Sequence, residues 1–151
     1  MREWDVQYKE ATMRFLAVAE ALSSSELDKS DKEGWTPRQV IHHMADSEAQ
    51  SYARLRRLIA EPGTVIQGYD EGAWAQNPTL GYTTESVDGA LAVIRAVRES
   101  SYRLLVRLSE THLDNSGIHS ESGNYSVRTW IETYTKHPLE HVSQIQSQIQ
   151  G

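Results

Sequence analysis

The sequence predicts an all-α protein, a four-helix bundle forming a single domain over residues 1–151. Three observations carry this. Four long segments repeat their apolar residues with a helical period, and nothing alternates with period two for long enough to suggest a sheet. Helix-start and helix-stop residues stand at the segment borders. Four helices that each carry one apolar stripe can bury those stripes against one another.

The first segment runs from about Asp5 to Leu22, with Trp4, Tyr8, Ala11, Phe15, Ala19 and Leu22 as its stripe. The second opens at "WTPRQV": Thr36 suits the cap, Pro37 the first helical position, and Gln39 completes a capping box. Trp35 and Val40 are spaced for the accompanying hydrophobic staple. This helix should reach about Ala60 and stop at Pro62 and Gly63. The third should open at Thr83 or Thr84 and run to about Glu110, with the stripe Val87, Leu91, Ile94, Val97, Ser101, Leu104, Leu105 and Leu108. The fourth should begin near Ser126, after the turn-rich "LDNSGIHSESGNYS", and reach Gln150.

The connection over residues 61–83 is long for a helix–helix link, and such loops are usually functional or disordered. It contains "QGYDEGAWAQNP", whose Tyr69 and Trp74 can pack on the body of the protein. An ordered crossover covering one end of the bundle is therefore expected, with Asp70 and Trp74 nearest any site there; a mobile surface loop is the other reading.

Composition sets limits. At 38% hydrophobic and 24% charged the chain is ordinary for a soluble globule, with no apolar run able to span a bilayer. The start "MREWDVQYKE" lacks the apolar segment of a signal peptide, so a cytoplasmic location is expected. The chain has no cysteine, which excludes disulfides and thiolate metal sites and leaves His, Asp or Glu as the ligands for any metal. A net charge of −6 without a Lys/Arg block argues against nucleic acid and anionic membranes as partners, and "RLRR" at 54–57 reads as the wet side of a helix.

The histidines carry the chemistry. His137 and His141 stand four apart, on one helix face that continues from Trp130 and Tyr134 toward Ile145 and Gln148. Such a pair is either hydrogen-bonded within the core or a pair of metal ligands. His42 and His43 are adjacent and point about 100° apart, so both cannot face inward. His43 lies nearer the inward side marked by Val40, Met44, Ser47, Ser51 and Leu55; His42 belongs at a helix–helix boundary or in solvent. Together His43, His137 and His141 would make a three-nitrogen site with a coordination position left open, the mark of a catalytic metal. Asp46, one turn beyond His43, is either a support for an imidazole or a plain solvated carboxylate. His112 and His119 fall in the polar loop and read as solvent-facing.

Other architectures fit worse. No glutamate stands three residues before a histidine, as di-iron bundles require, and "HPLEH" is not the zinc-protease HExxH. Neither a nucleophile elbow nor a phosphate-binding glycine loop occurs.

In order, "GWTPRQVIHHMADSEAQSYARLR", "YDEGAWA" and "HPLEHVSQI" resemble the DinB/YfiT-like family of metal-dependent enzymes, across essentially the whole chain. The resemblance implies a DinB-like four-helix bundle with a long crossover between the second and third helices. It also implies a divalent metal on one histidine of the second helix and an HxxxH pair of the last, which fall on His43, His137 and His141. Zinc and nickel are the first candidates, iron and manganese the next, because imidazole suits them all. Pro138 departs from the family's commoner pattern. It frees the Tyr134 carbonyl, and a kink held by the metal is expected there.

Three functions follow. The first is hydrolysis of a small molecule by a water activated on the metal. The second, supported by relatives in the superfamily, is a transferase using a low-molecular-weight thiol, which this cysteine-free chain would have to take from outside. The third is a non-catalytic, stress-related metal-binding protein, acting as a homodimer. Asp70 is the candidate general base and Gln144, one turn beyond His141, a candidate substrate contact; their plainer readings are a turn carboxylate and an interhelical hydrogen bond.

Overall fold

The computed structural model describes residues 3–150, which form five α-helices in chain order: α1 (Glu3–Glu20), α2 (Pro37–Ala60), α3 (Glu71–Gln76), α4 (Asp88–Arg107) and α5 (Val127–Gln150). The four long ones make the bundle. α1 packs against α5 and α4, and α2 against α4 and α5, so the order around the bundle is α1, α5, α2, α4. The long connection thus joins two neighbouring helices. Its length is not needed to span a gap and instead forms structure of its own.

The capping box of α2 is formed as the sequence predicts: Gln39 N–H donates to Thr36 Oγ1 at 3.2 Å, and Thr36 N–H to Gln39 Oε1 at 3.0 Å. The stripe of α1 is also as expected, with Tyr8, Ala11, Phe15 and Ala19 buried. α4 is shorter than its periodicity suggested. "GYTTE" closes a turn first, with Glu85 N–H donating to the Gly81 carbonyl, and Glu110–Asp114 winds into a separate 3-10 turn beyond the helix.

A small sheet lies outside the predicted elements. β1 (Val65–Ile66) pairs in parallel with β2 (Ser116–His119), which forms a hairpin with β3 (Gly123–Ser126). Two- and four-residue strands are too short to show a period. The pairing binds the long connection to the hairpin that precedes α5. Gly117 permits it, because a Cβ there would stand 2.4 Å from the Thr64 carbonyl oxygen.

The core has two hydrophobic clusters with a polar belt between them. One cluster holds Tyr8, Leu55, Leu105, Trp130 and Tyr134; the other holds Phe15, Met44, Ile94, Val142 and Ile145. Each long helix crosses from one cluster to the other through polar residues: Thr12 on α1, Glu48 and Ser51 on α2, Arg98 and Ser101 on α4, and His137 and His141 on α5. At its centre Arg98 Nη1 donates to Glu48 Oε1 at 2.6 Å, both side chains being 0% exposed. Arg98 also donates to Thr12 Oγ1 at 2.5 Å and to the Tyr134 carbonyl at 3.1 Å. α5 runs without interruption through Pro138, and the carbonyl released by that proline is satisfied by Arg98.

Candidate metal centre

His43 from α2 meets His137 and His141 from α5 where the two helices pack. Their ligand nitrogens all lie within 4.8 Å of one another. His137 Nε2 is 2.9 Å from His141 Nε2 and 3.3 Å from His43 Nε2. His43 is buried, whereas His137 and His141 are half-buried, so the cluster has an accessible flank.

The surroundings keep these rings neutral. Burial pushes His137 furthest, down to about 3, helped by the neighbouring His141 and His43 and by Arg98. Burial also lowers His43 against the opposite pull of Asp46, and lowers His141 against its bond to Gln144. Neutral imidazole is the form that binds metal. His141 Nδ1 pairs with Gln144 Oε1 at 2.8 Å; with Nδ1 as the donor, Nε2 keeps its lone pair. Three Nε2 atoms this close cannot all carry protons, and lone pairs facing one point are what a divalent cation satisfies. The residues present fit such an ion.

The long connection packs against α2 beside the cluster. Tyr82 donates its hydroxyl to Asp46, and the ring of His42 stacks on Tyr82 with centroids 5.8 Å apart. Asp46 thereby has a partner of its own while its charge acts on His43. Asp70 is exposed and caps α3 by accepting from Ala73 N–H at 2.9 Å. The next residue, Glu71, supplies the carboxylate that interacts with His141. Glu71 is exposed as a residue, and partial burial of its carboxyl raises it above the usual range, against the pull of His141 and Arg54. Sequence reasoning passed over Glu71; the signal was that Asp70, three residues before Ala73, has the identity and place of a helix cap. Trp74 packs against Tyr69 with ring centroids 4.6 Å apart and the planes tilted by 54°. Gln144 turns its amide to His141 within α5, and a cleft of about 690 Å³ opens beside it, lined also by Asp31, Lys32, Glu33 and Ser147. His112 and His119 lie apart from the cluster, His112 in the 3-10 turn and His119 at the end of β2, each ring bonded to nearby backbone.

Residues 7–145 match the family profile of the DinB superfamily. The chain belongs to the DinB superfamily. Relatives are provisionally named metal-dependent hydrolases. One from Oceanobacillus iheyensis is 38% identical over 127 residues, covering 83% of this chain and 72% of its own. A second from the same organism is 30% identical over 146 residues, with 96% and 83% covered. Among solved structures, YfiT from Bacillus subtilis, described as a probable metal-dependent hydrolase with an unusual four-helix bundle topology, superposes with a TM-score of 0.87. It is 26% identical, with 98% of this chain and 85% of that one covered. A mycothiol-dependent maleylpyruvate isomerase shares the DinB-like bundle at a TM-score of 0.74. At 13% identity, over 95% of this chain and 59% of that one, the likeness is of fold alone.

Proposed function

We propose that His43, His137 and His141 hold one divalent metal ion and that the protein is a metal-dependent hydrolase acting on a small molecule. The observation that carries this reading is the convergence of three imidazoles, two of them half-buried, with ligand nitrogens within 4.8 Å of one another. When bound by three neutral ligands, the ion would keep its full charge and supply Lewis acidity to water or to a substrate oxygen. Zinc or nickel is the expected ion, with iron or manganese next.

The chain's own residues divide the remaining work. Gln144 holds His141 in one tautomer, and the charge of Asp46 acts on His43. The connection carrying α3 is fastened to α2 one turn beyond His43 through Tyr82 and Asp46. Glu71 is the carboxyl placed to take up or return a proton at the edge of the site, with Arg54 beside it. The hydrolase names of relatives from Oceanobacillus and Bacillus support the same reading.

Metal analysis of protein purified without a His tag tests the site. Stoichiometric metal, lost in His43→Ala, His137→Ala and His141→Ala and kept in His112→Ala, is expected; full stoichiometry in any of the first three would remove that residue from the site. Turnover of an ester and amide library with metal alone supports hydrolysis. Silence until a small thiol is added, followed by joint consumption of thiol and electrophile, would replace it with thiol transfer.

A further inference from the structure

Arg98 stands on α4, the one long helix other than α1 that contributes no histidine to the cluster. It nevertheless links the two helices that do. On α2 its guanidinium binds Glu48, little more than one turn beyond His43; on α5 it binds the Tyr134 carbonyl, one turn before His137. That carbonyl is available because residue 138 is proline and has no N–H to donate. Glu48 is held in turn by Ser51 Oγ, which donates to its second oxygen at 3.0 Å, and Arg98 lies over the Tyr8 ring, 3.9 Å from the centroid.

We infer that Arg98 is a positioning residue for the three-histidine site, setting α2 against α5 through Glu48 and the Tyr134 carbonyl. The inference rests on the metal-site reading above. A planar guanidinium has donors in a fixed fork, so it can bind a carboxylate on one side and a carbonyl on another while fully buried. Pro138 is then part of the device. A helix former at 138 would donate its own N–H to the Tyr134 carbonyl, which Arg98 would then have to share. The proline makes that carbonyl an external acceptor at the turn that carries His137.

Four full-length proteins test this: wild type, P138A, R98M/E48M and the triple variant. Changing Arg98 and Glu48 together avoids leaving one buried charge unpaired. R98M/E48M should bind zinc about tenfold more weakly, the lower end of what outer supports of metal ligands contribute. Its cobalt-substituted form should show an altered visible spectrum. Adding P138A gives the Tyr134 carbonyl an N–H partner but restores no link to α2, so the affinity should stay low. In metal-free protein, P138A should stabilise R98M/E48M more than it stabilises wild type. Unchanged zinc affinity in R98M/E48M overturns the positioning role; a loss that P138A repairs would show that the unpaired Tyr134 carbonyl, not the link between α2 and α5, was at fault. If R98M/E48M does not fold, R98K stands in with the same expectations, because a single ammonium keeps the charge but not the fork. Wild type that binds no zinc would sink the metal-site reading itself. The metal-free comparison would then decide the Arg98–Tyr134 link alone, and absence of coupling would overturn it.

Discussion

The hydroxyl of Tyr82 donates to Asp46 Oδ2 at 2.6 Å. This bond ties the far end of the long connection to α2, one turn beyond His43. The near end is tied separately, by β1 to β2. Tyr82→Phe should therefore lower unfolding stability by about 1.5–3 kcal/mol, the usual worth of a hydrogen bond to a charged group. Amide exchange should rise over residues 71–82 more than over 64–66. Unchanged exchange across 71–82 would mean that packing alone holds the segment.

Gln144 acts on the site through His141. Gln144→Leu removes the acceptor for the Nδ1 proton and should weaken zinc binding by about tenfold or more. Gln144→Glu keeps an acceptor and should bind at least as well. Equal affinities in isothermal titration for wild type and Gln144→Leu would show that packing fixes the ring.

The adjacent acids Asp70 and Glu71 should separate cleanly. Asp70→Ala removes a helix cap, worth about 1 kcal/mol, and should leave turnover and metal content alone. Glu71→Gln should leave stability near wild type and lower kcat by about a hundredfold on any substrate the protein hydrolyses. A reversed pattern in paired denaturation and kinetic measurements would return the proton-handling role to Asp70.

Metal-free protein should lose stability as pH falls. All three cluster histidines have folded values depressed by burial below the ordinary 6.5, His137 to about 3. Between those limits the unfolded chain binds protons that the folded one refuses, so stability is greatest above 6.5 and declines as pH drops toward 3. His137→Leu should flatten the decline in chelator-treated protein measured by urea titration at pH 7.5, 5.5 and 4.5. An equally steep decline in that variant would place the effect elsewhere.

Much of the fold was legible from single residues. Thr36, Pro37 and Gln39 specify the start of α2 by local hydrogen bonding, and the stripe of α1 follows from its own period. The HxxxH pair was legible for the same reason, since spacing of four places two side chains together whatever surrounds the helix. Arg98 was hidden by its neighbours. It sits in register with Ile94, Ser101 and Leu105, where an apolar residue is expected, and a charge in that register was the available signal.

The sequence by itself determined four helices, their faces and two of the three clustered imidazoles as a pair, because those features depend on contacts within one helix. Tertiary structure decided the rest. It brought His43 to His137 Nε2, placed Glu71 where the charge of His141 reaches it, and gave the Tyr134 carbonyl to Arg98. Each of these joins residues 36 or more positions apart, and no local period records such a distance. What makes them necessary is the cost of burial: polar groups carried into a packed interior must find partners, and only the assembled bundle determines which groups are within reach.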